Sequence, residues 1–398
     1  MDTASTRPTA ARPHPPVPLR QFRLPLRLAA LGVLLLALIP VQASALRFVT
    51  MGDSRGYTVD APLNTAVLAQ VNQRIKALSP APEFLVFLGD LSYRANIPVD
   101  GHDHYTYKTW LDFMRAPSTG LPASLPLYMV IGNHELYDEG LAPHAEASIT
   151  LACQQAYQNF IQTNASSTFM PNVTSLNDNY KNLAYSFTSE DGKSLFVVLD
   201  GFYIATGPTQ PYDGAGALNQ TQRDYLQTTL SQSSAKTKFV FVHNPAFGPS
   251  TQPTTACVAS SMCEFWKIVN DNKATAVFNG HDHLFSRVLV NSGFNGANPG
   301  YSFTKSIPQV IAGTCGAPIS GTYDEPGKPP LAASWNGKLQ FNYSVVDVDD
   351  SGPQAKVTIN SYCGDGSGSW SLCDRYTNAP VTVAPADSLL LRSGGQGQ

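Results

Sequence analysis

The feature that most constrains this chain is a series of short apolar runs, each stopping at a polar cluster. Leu46–Met51 (LRFVTM) leads into Gly52-Asp53-Ser54-Arg55, and Phe84–Leu88 (FLVFL) into Gly89-Asp90-Leu91-Ser92-Tyr93. Leu127–Ile131 (LYMVI) leads into Gly132-Asn133-His134-Glu135. Phe239–Val242 ends at His243, and Thr275–Phe278 at Asn279-Gly280-His281-Asp282-His283. Short runs rich in Val, Phe, Leu and Ile read as strands buried on both faces. Leu63, Val67, Val71, Ile75 and Leu78 recur between them at helical spacing, which predicts a helix with Asp60 as N-cap and Pro62 in its first turn. Tyr107–Met114 and Gln220–Leu230 also read as helical. Strand and helix alternate, so the expected class is α/β, with functional residues beyond the carboxyl ends of the strands. Residues 137–182 lack such signals and read as a long irregular insertion, a lid or rim. Leu339–Val348 and Ala355–Ser361 read as further strands.

Before the first run, residues 1–27 carry five Arg and one acid, followed by the apolar stretch Leu28–Ile39, Pro40 and Ala43-Ser44-Ala45. That pattern predicts a secretory signal peptide over residues 1–45, cleaved after Ala45. The alternative is an uncleaved anchor, for which the stretch is short of the roughly 20 residues a span needs. Removing it would shift the net charge from -3 to -7, because five basic side chains and one acidic leave with it. The expected organisation is one main domain over 46–377 and a small, polar, disordered tail over 378–398. Only 14% of residues are charged and 43% are hydrophobic, which excludes a disordered polyelectrolyte. The acidic balance argues against a nucleic-acid-binding module, and no membrane span is expected in the mature chain. Oligomeric state is not legible.

An even number of cysteines in an exported chain suggests disulfides. The spacings favour Cys257–Cys263 and Cys363–Cys373, leaving Cys153 for Cys315. None forms a CxxC metal pattern.

The strand-end residues Asp53, Asp90, Tyr93, Asn133, His134, His243, His281 and His283 are oxygen and imidazole donors suited to Zn, Fe or Mn. They exceed what one metal needs, and Asp90 is the candidate carboxylate shared between two. Two carboxylates cannot neutralise two such cations, so the site would stay positive and suit an anionic phosphoester. A metal-bound water would supply hydroxide as nucleophile. Asp200 also ends an apolar run and looks like a ligand on position alone. Glu135 reads as orienting its neighbours, while His102, His104 and His144 read as loop residues outside the ligand set.

Taken in order, GDSR, GDLSY, GNHE, the strand ending in His243 and GHDH resemble the five motifs of the calcineurin-like metallophosphoesterase superfamily. The resemblance continues in IAGTCGAP (Ile311–Pro318). It implies a layered β-sandwich flanked by helices. The tyrosine of GDLSY is similar to that of the purple acid phosphatase branch, where it binds ferric iron. Carried over, Asp53, Asp90, Tyr93 and His283 would hold one metal. Asp90, Asn133, His243 and His281 would hold the other. Asp90 and His134 would be the catalytic residues, with Asn133, His134 and Arg55 meeting the substrate. The resemblance gives Asp200 no ligand role, which makes a structural hydrogen bond its reading. The implied cofactors are two metal ions, Fe with Zn, Mn or Fe, or else all Zn or all Mn. The implied substrate is a small phosphomonoester. A phosphodiesterase or nucleotidase is the alternative, and a non-catalytic secreted binding protein is the alternative of another class.

Two departures stand out. Arg55 occupies a position where most of the superfamily has histidine and the purple acid phosphatases glycine, and it has no lone pair to offer a metal. No histidine follows in the ten residues after His243, NPAFGPSTQP.

Overall fold

The computed structural model describes residues 46–58, 61–93, 107–138, 148–205, 209–211, 216–248, 255–319 and 335–378. The signal-peptide reading, Asp60, His102, His104, His144 and all but the first residue of the expected tail fall outside them.

The five apolar runs are strands. We label β1 Leu46–Met51, β2 Phe84–Phe87, β3 Leu127–Met129, β4 Tyr185–Thr188, β5 Ser194–Val198, β6 Thr237–Phe241, β7 Ala276–Asn279, β8 Phe285–Val290 and β9 Ile307–Ala312. β10 is Trp335–Lys338, β11 Phe341–Asp349, β12 Lys356–Gly364 and β13 Trp370–Thr377. The first sheet has six strands in the order β13-β12-β11-β1-β2-β3. The second has eight, β10-β8-β9-β7-β6-β5-β4 and the short strand Thr174–Ser175. Within the first, β1, β2 and β3 run parallel; within the second, β5, β6, β7 and β9 do.

Alternation along each strand builds the layers. Phe48 of β1 and Phe84 of β2 meet the second sheet. Phe48 lies 5.4 Å from Phe196 and 5.0 Å from Phe239, ring to ring, and Phe84 lies 5.0 Å from Phe196. Phe87, of opposite parity, turns away and packs on Trp110 at 4.8 Å. In the second sheet Val197, Val240 and Val277 share a separate core with Leu226, Leu230 and Trp266. The result is two sheets packed through a Phe-rich seam, with helices outside, as the α/β sandwich expectation required.

The helices are α1 Thr65–Lys76, α2 Tyr107–Arg115, α3 Leu151–Asn164, α4 Gln220–Gln232 and α5 Ser260–Asp271. α1 begins later than its spacing implied. Arg55–Thr58 and Ala61–Leu63 pair as a small hairpin, which puts Pro62 in a strand. Asn64 then caps the helix by accepting from the Val67 N–H. The segment expected to be irregular holds α3, which buries Cys153, Tyr157, Phe160 and Ile161 at helical spacing. Its Gln- and Asn-rich remainder hid that stripe. Gln154 is buried as well, its amide exchanging hydrogen bonds with both backbone groups of Ile204.

Cys257–Cys263 and Cys363–Cys373 are disulfides. The third expected bridge is absent. Cys153 is buried on α3, while Cys315 is buried beside the end of β1, its N–H bonded to the Gly52 carbonyl. No helix among the described residues is long and apolar enough to cross a membrane.

Candidate metal centre

All seven parallel strands end at one edge, and the polar clusters gather there. Asp53, Asp90 and Asn133 follow β1, β2 and β3. His243 and His281 follow β6 and β7, and His283 lies two residues on. Each acid sits at a turn too tight for ordinary backbone. Asp53 and Asp90 both have φ of 55° and His281 has φ of 70°, the left-handed region. An L-residue there costs roughly 1–2 kcal/mol; such strain persists only where the surroundings enforce it.

The glycines beside these residues are obligatory. A Cβ at Gly89 would lie 2.6 Å from His243 Nδ1, and one at Gly280 would lie 2.4 Å from Asp53 Oδ2. One at Gly132 would lie 2.3 Å from Asp90 Oδ1.

Asp90 is central. Its Oδ1 lies 3.3 Å from His243 Nε2 and accepts the His134 N–H at 3.0 Å. Its Oδ2 faces Arg55 Nε at 3.8 Å and His134 Nε2 at 3.9 Å. Asp53 Oδ1 accepts the His281 N–H at 3.0 Å and stands 3.6 Å from His283 Nε2. Asp53 Oδ2 is buried without a hydrogen-bond partner among the described residues. Asn133 Oδ1 stands 3.2 Å from His243 Nε2 and 3.0 Å from His281 Nδ1.

Second contacts fix the imidazoles. A carbonyl can only accept, so His243 Nδ1 donates to Leu88 O at 2.6 Å, and His283 Nδ1 to Pro318 O at 2.9 Å. His134 Nδ1 likewise donates to Tyr93 O at 2.7 Å. Each bond leaves Nε2 turned toward the carboxylates, the tautomer and orientation that metal-binding histidines adopt. Glu135 fixes the oxygen side: its carboxylate takes the N–H groups of Asp90, Leu91 and Gly132 at 2.9, 2.7 and 2.7 Å. It orients its neighbours as expected.

Burial and crowding shift the ionisable groups. Burial raises Asp53 well above the usual carboxylate range, with the Asp90 charge adding to the effect. Burial also acts upward on Asp90, but His243, His134 and Arg55 outweigh it and hold this carboxyl well below that range. On His243 burial acts downward and is overcome by Asp90 and Asp53, which carry it to about 10. Burial lowers His134 to about 4 and His283 to about 3. Burial, reinforced by the Asp90 charge, raises Glu135 to about 7.

The structure thus brings Asp53, Asp90, Asn133, His134, His243, His281 and His283 together. One ligand atom from each of Asp53, Asp90 and His243 falls within a mutual 4.8 Å, a geometry that could hold a cation. The orphaned Asp53 oxygen fits the same role, because a buried acceptor without a donor calls for an explanation. Tyr93 lies beside the cluster, its ring under the Arg55 guanidinium at 5.9 Å and 6.0 Å from the His134 ring.

Asp200 stays outside. Its Oδ1 accepts the Phe202 N–H at 2.8 Å, the structural role expected of it. Sequence reasoning passed over Phe202, whose ring is 6.2 Å from His243 and 6.0 Å from His281; its place two residues past a strand-end acid was the only signal. It also gave no role to Pro318, whose carbonyl anchors His283. That loop, Ile311–Pro318, binds β1's end through Cys315 N to Gly52 O and Ala317 N to Asp53 O, both 2.8 Å.

Comparison with known proteins agrees with this frame. No curated protein matches the chain by sequence. Among solved structures, a purple acid phosphatase from yellow lupin (Lupinus luteus) seeds is similar, with 13% identity and a TM-score of 0.51 over 84% of this chain and 54% of that one. The chain therefore spans about half the length of the lupin protein. PhoD is similar too, with 13% identity and a TM-score of 0.51 over 86% of this chain and 73% of the other. At such identity the likeness concerns fold alone. The sequence profile of the calcineurin-like phosphoesterases matches residues 47–285, the stretch that carries all five strand-end clusters, and the chain belongs to that family.

Proposed function

We propose that this chain is an exported hydrolase that holds two metal ions and cleaves phosphomonoesters. The observation that carries the proposal is the set of imidazoles pinned through Nδ1 to backbone carbonyls, with Nε2 directed at two buried carboxylates. Asp53, Asp90, Tyr93 and His283 would form one pocket. Asp90, Asn133, His243 and His281 would form the other, with Asp90 common to both. Bound metals would supply positive charge against the phosphoryl oxygens and acidify the attacking water.

The protein's own groups do the rest. Asp90 is held by Glu135 through its backbone, so its two oxygens keep separate faces. His134 is fixed by the Tyr93 carbonyl and adjoins Asn133, a position from which it meets the phosphate and the leaving oxygen. Arg55 offers a planar fork for two phosphoryl oxygens, and Asn133 offers its side-chain amide. Export is supported by the Arg-rich, apolar, Ala-Ser-Ala start of the sequence and by the two disulfides.

The test is elemental analysis and a visible spectrum of the purified protein, together with turnover of a monoester, a diester and a nucleotide by one preparation. Two metals and fastest turnover of the monoester are expected. A purple colour lost in Tyr93→Phe supports iron in the tyrosine pocket, whereas a colourless active protein holding only Zn or Mn removes it. Faster diester or nucleotide turnover overturns the monoester assignment. Bound metal with no turnover of any ester leaves a binding protein. Full activity in Asp90→Asn or His281→Ala would overturn the site.

A further inference from the structure

We infer that Arg55 makes the two faces of Asp90 unequal toward cations: binding is strong on the His243–Asn133–His281 face and weakened on the Tyr93–His283 face. The inference rests on the metallophosphoesterase reading above and says how this chain departs from an even pair of sites.

The two oxygens of Asp90 have different neighbours. Oδ1 faces His243 Nε2 at 3.3 Å, with Asn133 Oδ1 another 3.2 Å from that nitrogen. The imidazole can give up its proton to a metal and then offers a lone pair, and the amide oxygen has one already. Oδ2 faces Arg55 Nε at 3.8 Å and His134 Nε2 at 3.9 Å, and His134 belongs to neither proposed ligand set, so the nearest group on this side is the guanidinium. A guanidinium has no lone pair to give and keeps its charge at every pH a protein tolerates. It can therefore only repel a cation seeking the same oxygen.

Arg55 is also held in place. Its side chain is 15% exposed, so water screens it little. Its Nε is buried and has no hydrogen-bond partner among the described residues. The Tyr93 ring lies 5.9 Å beneath its guanidinium carbon, a cation–π position. The backbone behind it is tight: a Cβ at Gly56 would fall 1.7 Å from the Ala61 carbonyl oxygen, so the hairpin carrying Arg55 closes on glycine alone. A fixed positive charge with an unused buried N–H, next to a shared carboxylate, already supplies part of what a second metal would supply. It does so with donors suited to a phosphoryl oxygen.

The experiment is a calorimetric titration of chelator-stripped protein with Zn²⁺, and again with Mn²⁺, in the wild type, Arg55→Gly and Arg55→Lys. The wild type should show one tight site and a second at least about tenfold weaker, given the strength of a nearby charge at low screening. Arg55→Gly should tighten the weak site by at least about tenfold and leave the tight one in place. Arg55→Lys keeps a charge on the same hairpin and should keep the inequality. A wild-type stoichiometry of one that rises to two in Arg55→Gly is the strong form of the same result. Two equal sites in the wild type, or a weak site unmoved in Arg55→Gly, overturns the inference and leaves the metallophosphoesterase reading standing. Failure of wild type and both variants to bind any cation overturns the two-metal proposal, and the inference with it.

Discussion

The two sheets bring different chemistry to the same edge. The six-stranded sheet ends in oxygen donors, Asp53, Asp90 and Asn133, whereas the eight-stranded sheet ends in imidazoles, His243, His281 and His283. Asp90 and Asn133 are held from within their own sheet, by Glu135 gripping the Asp90 and Gly132 turns, whereas the Asp53 turn is also tied to the loop after β9. The imidazoles are held partly from across the seam, since His243 donates to Leu88 O and the His281 N–H to Asp53 Oδ1. Neither sheet owns a site. The centre exists only while the Phe-rich seam keeps the two edges in register, so stability and metal binding should fail together at the seam and at the buried supports of the turns, and separately at the ligands themselves.

That difference can be broken in order of expected effect. Phe48→Ala empties the ring that touches Phe196 and Phe239 in the opposite sheet. It should cost about 3–5 kcal/mol in urea unfolding and weaken metal binding with it; a stable variant that binds metal normally would break the link between seam and site. Asp90→Asn removes the carboxylate proposed to be common to both pockets. Hydrolysis should fall by more than the roughly 100-fold that a group behind the ligands can cost, with the unfolding midpoint of the chelated protein not lowered. Glu135→Gln offers one carbonyl oxygen where a carboxylate served three N–H groups. It should cost about 1–3 kcal/mol in stability and about 10–100-fold in metal affinity, read by denaturation and calorimetry on one preparation.

The smallest effect belongs to Asp200, on the imidazole sheet. Burial raises this carboxyl to about 7, against 3.8 in an open chain. The folded protein therefore keeps a proton that the unfolded chain releases, and stability falls as pH rises from about 4 to 7. Asp200→Asn, which can still accept from Phe202, should remove that slope. In chelated protein it should match the wild type near pH 4 and exceed it by at least about 1 kcal/mol at pH 7. Parallel stability curves for the two proteins would refute this.

Much of this was legible in the sequence, for a definite reason. A strand buried on both faces must be apolar throughout, so the first polar residue after it marks the sheet edge. That logic found β1, β2, β3, β6 and β7 and the residues beyond them. It reached Glu135 because its neighbours are strand-end residues. It could not show that Asp53, Asp90 and His281 are left-handed, because only the flanking glycines hint at backbone conformation. The α1 cap went to Asn64 because a hairpin, invisible to helical periodicity, used up Ala61–Leu63. The stripe of α3 is present in the sequence, but Gln154 broke the polar-apolar contrast by being buried for its amide. The Cys153–Cys315 pairing was reached by elimination, which says nothing of where α3 and the β9 loop lie.

The left-handed turns at Asp53, Asp90 and His281 have one more consequence. At each, glycine would sit more comfortably than the residue present. Selection acting on thermal robustness alone would drift toward glycine at all three and empty the centre. The sequence at these turns therefore records a compromise: the fold stays short of its best stability so that three side chains point inward, and laboratory evolution for heat tolerance without an activity screen should erode these positions first.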